Sequence, residues 1–434
     1  MKVHFIGIGG IGMSALARYF LSYGYEVSGS DIAHSVLTKE LQAEGIHIFI
    51  GCEQRNIVAN LDLVIYSAAV KDTNLELITA REFNLIIKSY AEALGELTRH
   101  YTTIAISGSH GKSTTTSLVA LTLIKAGFDP TVIVGTKLRE LKGSNFRKGK
   151  SKYLIIEADE WNKSFHNYFP KIIVLTNIDK EHLDTYKTYT GIVNGFKKYL
   201  NRLSADGVVV ANWKDIPSRK LTLAIRKKGI NVIFYNKNNF RKHPLKIPGS
   251  YNQVNAEAVW QLAKHLKIKK TVVDGVLKKF NGTWRRLEKL PVAGRLSYVT
   301  VYSDYAHHPT EIKATINGLR EAYPHKNIIC IFEPHQRDRL HRLFKDFLPV
   351  FDNADVVVIL PIYAVAGREA EPGEDSFMLA QAINGRRSGT QVFYEEDIPR
   401  AMKTIQKFIT KETILVFMGA GDIDANARKY LEII

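Results

Sequence analysis

The decapeptide Ser107-Gly108-Ser109-His110-Gly111-Lys112-Ser113-Thr114-Thr115-Thr116 carries the most chemistry in this 434-residue chain. A glycine turn rich in hydroxyls, with one lysine, can hold nucleotide phosphates. Backbone N–H groups face the anion, Lys112 neutralises it, and the Ser113 hydroxyl can ligate Mg²⁺. Only two residues separate Gly108 from Gly111, a shorter gap than in the common Walker pattern, so a generic nucleoside triphosphatase is not the natural match. Three successive threonines are poor helix formers, yet at a helix start their hydroxyls can serve phosphates.

Two acidic tails belong to the same chemistry. The apolar run Tyr153-Leu154-Ile155-Ile156 ends in Glu157-Ala158-Asp159-Glu160. The run Ile172-Ile173-Val174-Leu175-Thr176 ends in Asn177-Ile178-Asp179-Lys180-Glu181-His182-Leu183-Asp184. In parallel α/β sheets ligands sit beyond the carboxyl ends of strands, which puts both tails near the phosphate turn. Carboxylates with one histidine there suit Mg²⁺ and a reacting phosphoryl group.

These residues need strands and helices to position them. Thr103-Ile104-Ala105-Ile106 reads as a buried strand before the phosphate turn, and Leu118-Val119-Ala120-Leu121 as the helix after it. An earlier turn has the same plan. The strand Val3-His4-Phe5-Ile6 leads through Gly7-Ile8-Gly9-Gly10-Ile11-Gly12-Met13 into a helix over Ser14–Tyr23. A second strand, Tyr25 to Asp31, follows. Gly7, Gly9 and Gly12 stand in G-x-G-x-x-G register, with an acid about 20 residues on, as in a Rossmann half. A third doubly wound pattern begins near Gly282. Tyr298–Tyr302 runs into Ser303-Asp304-Tyr305-Ala306-His307-His308-Pro309-Thr310-Glu311. Later come Ile328–Phe332 with Glu333-Pro334-His335, Val356–Leu360, and Ile414–Phe417 with Met418-Gly419-Ala420-Gly421-Asp422. Segment 212–246 is basic and irregular, with no element assigned.

Composition sets outer bounds. Apolar residues make up 45% and charged residues 24%, an ordinary globular balance over a length that suggests two to four domains. Cys52 and Cys330 are the only cysteines, far apart and in no metal spacing, so a reducing compartment fits better than a disulfide framework. The glycines at 7, 9, 10 and 12 break the apolar N-terminus, and a glycine turn after a strand explains them better than a signal peptide; no run has the length of a membrane helix. A soluble, cytoplasmic protein is expected. The net charge of +17 attracts polyanions, but also nucleotides and diphosphates. The basic residues fall in short clusters such as Arg226-Lys227-Lys228, without an RNA-binding signature, so no nucleic-acid partner and no membrane partner is expected.

Taken in order, these motifs resemble the Mur ligases, ATP-dependent amide-forming enzymes of peptidoglycan synthesis, over essentially the whole chain. Further matching segments are Gly249-Ser250-Tyr251-Asn252-Gln253-Val254-Asn255-Ala256 and Arg285-Arg286. The resemblance implies three α/β domains: a Rossmann-like N-terminal domain for a UDP-sugar (1–99), a P-loop-type central ATPase domain (100–281), and a Rossmann-like C-terminal domain (282–434) that closes on ATP and the amino acid. It implies Mg²⁺ as cofactor, UDP-N-acetylmuramate and L-alanine as substrates, and a monomer or weak homodimer. Gly9, Gly10, Ile11, Gly12, Met13, Asp31 and Ser67 would bind the UDP-sugar. Gly108 to Thr114 would bind ATP phosphates, with Ser113, Glu157 and His182 on metal. Asn252 and Asn255 would reach adenine, Arg286 the transferred phosphate and Asp304 the ribose. His307 or His308 would orient or deprotonate the amine, and Arg339, or Arg337 in exchange, would take the alanine carboxylate.

The chain departs from the family pattern in places. Gln336-Arg337-Asp338-Arg339 replaces the usual order after Glu333-Pro334-His335, and Glu333 stands where Gln is usual. Tyr251 stands for His, and an Arg common near the end of the first domain is replaced around Lys88-Ser89-Tyr90. Lys197, next to Lys198, lies at a plausible spacing for the carbamylated lysine of some members, which the alanine-adding branch need not use. A family member that attaches a ready-made tripeptide to UDP-N-acetylmuramate is the nearest alternative. A non-catalytic nucleic-acid binder would leave the joint presence of Lys112, Ser113, Glu157, His182 and Asp304 unexplained, and a dinucleotide oxidoreductase would leave the phosphate turn unexplained.

Overall fold

Three α/β sheets follow one another along the chain. The computed structural model describes residues 1–237, 242–292, 294–364, 373–386 and 389–433. The first sheet is parallel throughout: β1 Lys2–Ile6, β2 Glu26–Asp31, β3 His47–Ile50, β4 Leu63–Tyr66 and β5 Ile87–Ser89, in the order β3-β2-β1-β4-β5. The second contains β6 Thr102–Ser107, β7 Thr131–Leu138, β8 Ser144–Arg147, β9 Tyr153–Ala158, β10 Ile172–Leu175, β11 Val208–Asn212 and β12 Asn231–Tyr235. Its order is β12-β11-β10-β6-β9-β7-β8, and only the β7–β8 hairpin is antiparallel. The third contains β13 Glu288–Leu290, β14 Thr300–Asp304, β15 Asn327–Phe332, β16 Val356–Ile359, β17 Gln391–Tyr394 and β18 Thr413–Met418. It runs β13-β14-β18-β15-β16-β17, with β13 alone antiparallel.

By contacts the chain divides into two compact units. One is Met1–Pro244 with Val254–Lys279 and holds the first two sheets; the other is Leu245–Gln253 with Phe280–Ile434 and holds the third. The family-implied boundaries at 99 and 281 separate the three sheets, whereas this division keeps the first two together.

The central strands are apolar because helices cover both faces of each parallel sheet. Ile104, Ala105 and Ile106 of β6 and Val3, Phe5 and Ile6 of β1 are fully buried. Within the first unit, a buried arginine ties the glycine-turn helix Ile11–Ser22 to the second sheet. Arg18 reaches Glu44 through Nε (2.8 Å) and Nη2 (2.7 Å), and Asn145 of β8 through Nη1 (2.6 Å). Asn145 in turn donates to the Ile11 carbonyl (2.7 Å) and the Ser14 hydroxyl (2.9 Å). A guanidinium removed from water needs such partners, and here they lock the first glycine turn to the sheet that carries the phosphate turn.

Two local differences from the sequence reading have physical causes. The first helix begins at Ile11 rather than Ser14, because the Ser14 N–H already closes a turn on the Gly10 carbonyl (2.8 Å), and the missing Cβ of Gly12 leaves room there for Tyr90. The unassigned segment 212–246 contains the helix Ile216–Arg226, capped by Asp215 on the Ser218 N–H (3.0 Å), and the edge strand β12; its residues 238–241 lie outside the described residues. Among the described residues no helix is long and apolar enough to cross a membrane.

Candidate active site

The phosphate turn joins β6 to the helix Lys112–Lys125. Gly108 has φ +132° and Gly111 φ +79°, conformations that favour glycine. A Cβ on Gly108 would lie 2.1 Å from the Thr176 hydroxyl, and one on Gly111 would lie 2.8 Å from Asn255 Oδ1. The tail after β10 braces the turn. Thr176 Oγ1 donates to the His110 carbonyl (2.7 Å), the His110 N–H donates to Asn177 Oδ1 (2.9 Å), and the Asp179 N–H to Ser109 Oγ (2.9 Å). His110 Nε2 lies 2.9 Å from Asp179 Oδ2. The hydroxyls of Thr116 and Ser117 return to the carbonyls of Lys112 and Ser113, so they stabilise the helix start from within.

Lys112 Nζ is coordinated on three sides: the Gly108 carbonyl (2.7 Å), the Ser109 carbonyl (3.3 Å) and Glu160 Oε2 (2.8 Å), with Asp159 Oδ1 at 3.7 Å. Burial alone would lower its proton affinity, but Glu160 and Asp159 outweigh that and hold it protonated. Burial pushes the Glu160 carboxyl up against the pull of Lys112. For Asp159 burial acts the same way, but Lys112 and His182 prevail and lower it.

Two ligand sets lie beside the lysine. Ser113 Oγ donates to Glu157 Oε2 (3.1 Å), and the Gly135 N–H fixes Glu157 Oε1 (2.7 Å). Asp159, Glu160 and His182 each bring one ligand atom within 4.8 Å of the others. His182 Nε2 stands 3.9 Å from both Asp159 Oδ1 and Glu160 Oε1. Among the described residues, Glu160 Oε1 is buried and accepts no hydrogen bond, a deficit that a bound cation would cover. Oxygen-rich, doubly acidic and partly closed, the donor set fits Mg²⁺. The geometry therefore adds Asp159 and Glu160 to the metal candidates; the acidic tail was visible in the sequence, but which of its carboxylates turn inward was not.

At the first glycine turn, the N–H groups of Gly7 and Ile8 donate to the Ser30 carbonyl (2.9 and 3.0 Å). Gly9 donates to Asp31 Oδ2 (2.8 Å), so Asp31 shapes the turn directly. Ser67 lies against Gly7, where an added Cβ would meet its Cβ at 3.0 Å. Gly10 caps the helix Ile11–Ser22 without any side-chain cap or acid in the first turn, which leaves its N-terminal N–H groups for an anion; Met13 is buried beneath. Asn255 is buried beside Gly111. Lys197 is exposed near the end of the helix Tyr189–Leu200.

In the second unit, His307 meets His335 edge-on and His335 stacks on Tyr363, with ring centroids 5.5 Å apart in each pair. His307 Nδ1 lies 3.0 Å from the Tyr305 carbonyl and 3.5 Å from Glu311. His308 is nearly buried and caps the helix Pro309–Ala322, accepting the Thr310 N–H at Nδ1 (3.3 Å). Arg339 packs on His335 (3.3 Å), whereas Arg337 is exposed. Arg286 pairs with Glu311 (3.3 Å). Arg285 donates to the Gly419 and Gly421 carbonyls (2.7 and 2.9 Å), a clamp that sequence spacing does not reveal. Asp304 accepts the Leu287 and Ala306 N–H groups, and burial pushes its carboxyl up to about 6. Asn252 is buried and donates to the Pro248 carbonyl (2.6 Å).

Comparison with known proteins agrees along the whole chain. Residues 2–102 match the profile described as Mur ligase family, catalytic domain; 106–271 match the Mur ligase middle domain; and 285–421 match the Mur ligase, glutamate ligase domain. A UDP-N-acetylmuramate–L-alanine ligase of Clostridium kluyveri is 38% identical, over 99% of this chain and 98% of its own. The crystal structure of UDP-N-acetylmuramate-alanine ligase MurC from Thermotoga maritima superposes with a TM-score of 0.84 at 29% identity, covering 100% of this chain and 99% of that one. A murein peptide ligase from Psychrobacter arcticus shares the fold, with a TM-score of 0.71 at 21% identity, covering 100% and 98%. With matching domains in the same order and relatives that align end to end, the chain belongs to the Mur ligase family.

Proposed function

We propose that this chain joins L-alanine to the lactyl carboxylate of UDP-N-acetylmuramate at the expense of ATP, releasing ADP and phosphate in peptidoglycan precursor synthesis in the cytoplasm. The end-to-end 38% identity with an L-alanine ligase carries this reading, and the built phosphate turn around Lys112 supports its chemistry.

In this account the turn Gly9–Met13 receives the UDP-sugar diphosphate, with Asp31 and Ser67 shaping it, and Gly108–Thr114 receives the ATP phosphates. Ser113, Glu157 and His182, joined by Asp159 and Glu160, would hold Mg²⁺, which would supply positive charge to neutralise the phosphate oxygens. The substrate carboxylate attacks the γ-phosphorus, ADP departs, and an acyl phosphate forms. The alanine amine then attacks the acyl carbon, and phosphate leaves. Lys112 and the N-terminus of its helix neutralise charge that grows on the phosphoryl oxygens.

His307 is the better candidate for the amine proton. A carbonyl only accepts, so the Tyr305 carbonyl takes the Nδ1–H and makes Nε2 the acceptor of the neutral ring. His308 has the reverse arrangement, its Nδ1 accepting a backbone N–H. Arg339, half-buried on His335, suits the alanine carboxylate better than exposed Arg337. Asn252 and Asn255 serve adenine and Arg286 the transferred phosphate. Asp304, with one backbone donor on each oxygen, retains acceptor capacity for ribose hydroxyls.

A tripeptide-adding activity is the second reading, favoured by Glu333 and by a cavity of about 610 Å³ beside it, larger than alanine requires. Glu333, Glu396 and Asp397 line that cavity with Lys429 as its lysine, a charge balance that opposes a peptide carrying several carboxylates. Mass spectrometry of the nucleotide product decides: an increment of one alanyl residue supports the proposal, and a tripeptide increment refutes it.

A further inference from the structure

Tyr90 stands between the two glycine turns of the first unit and has no part in the account above. It opens the helix Tyr90–His100, where Ser89 and Glu92 form a reciprocal cap: the Glu92 N–H donates to Ser89 Oγ (3.3 Å) and the Ser89 N–H to Glu92 Oε2 (2.8 Å). That cap fixes where the ring departs. An ideal Cβ on Gly12 would lie 2.8 Å from Tyr90 Oη and 2.9 Å from Cζ, so the phenol tip rests on the Gly12 Cα in the first turn of the helix Ile11–Ser22. The ring packs on the apolar core, and the residue is half-buried. Among the described residues its hydroxyl has no hydrogen-bond partner. A half-buried apolar ring with an unpaired polar tip beside a bare helix N-terminus offers a donor to an anion.

The other neighbours set its protonation. Burial, then the charges of Glu157 and Asp159, push the phenol proton affinity up, so the group stays an O–H at any working pH. A neutral donor can approach a phosphate between those carboxylates and the glycine turn without adding charge.

We propose that the Tyr90 hydroxyl donates a hydrogen bond to the diphosphate of the sugar nucleotide seated on Gly9–Met13, on the side that faces the phosphate turn. The inference rests on the reading of that turn as the UDP-sugar site. Tyr90 then serves to bind the substrate diphosphate rather than to transfer a proton.

The test titrates UDP, uridine and ADP into the full chain and into Tyr90→Phe, a change that removes no hydrogen bond from the fold and should keep the melting temperature. UDP should bind about 10-fold more weakly to the variant, the loss of one hydrogen bond to a charged acceptor, while ADP and uridine bind as before. The KM for UDP-N-acetylmuramate should rise by a similar factor with kcat within about twofold. Equal UDP affinity for both proteins, or an equal loss for uridine, overturns the proposal alone. A wild-type chain that fails to bind UDP overturns the reading of the glycine turn, and the proposal with it.

Discussion

Lys112 Nζ lies 2.8 Å from Glu160 Oε2, and the second oxygen of that carboxylate, 3.9 Å from His182 Nε2, is buried without a hydrogen bond among the described residues. One carboxylate thus joins the lysine of the phosphate turn to the cation candidate. Lys112→Ala should lower kcat by about 10³-fold or more, the scale of losing a principal transition-state charge. UDP-N-acetylmuramate affinity, measured by calorimetry, should stay within about twofold because Gly9–Met13 is untouched. Loss of both would show that the two turns are not separate sites.

Glu160→Gln keeps the shape and removes the charge. The Mg²⁺ concentration for half-maximal phosphate release should rise by about 10-fold or more, in line with the cost of disturbing groups around a metal. An unchanged Mg²⁺ requirement would remove Glu160 from the metal site and leave it as a partner of Lys112 alone.

The two adjacent histidines should separate cleanly. His307→Ala should reduce kcat with little change in melting temperature. His308→Ala deletes a helix cap and should cost about 1 kcal/mol of stability, read by denaturant unfolding. Equal kinetic losses without a stability difference would contradict the division of roles.

Burial pushes the Glu333 carboxyl up to about 7 from 4.5, against the Ile423 N–H and Arg285. A carboxyl whose folded value is raised adds stability below its unfolded pKa and loses that contribution as pH rises through the folded value. The wild type should therefore lose stability relative to Glu333→Gln between about pH 4.5 and pH 8, by as much as about 3 kcal/mol. The glutamine retains an oxygen to accept the Ile423 N–H. Parallel melting curves across that range would show that Glu333 does not titrate on unfolding.

Much of the frame could be read from residue patterns, because parallel strands covered on both faces are continuous apolar runs. β1, β6, β9, β10, β14, β15, β16 and β18 stand out as such runs, and glycine turns mark the ends of β1 and β6. The β7–β8 hairpin and β13 are less visible, since an antiparallel edge depends on a partner rather than on its own hydropathy. Side-chain direction was hidden for the same reason. Spacing marks Asp31 as a ligand acid but not that the Gly9 N–H engages it, and marks His307 and His308 as a pair but not that His308 caps a helix. Glu160 and Tyr90 gain their meaning only from neighbours brought by other strands and helices.

Phosphate release by the purified chain with Mg-ATP and UDP-N-acetylmuramate, with L-alanine in one reaction and the L-Ala-γ-D-Glu-diamino-acid tripeptide in another, tests the central claim most directly. The account predicts release that depends on L-alanine and yields a nucleotide heavier by one alanyl residue. Release with the tripeptide alone, or none with either, would contradict it.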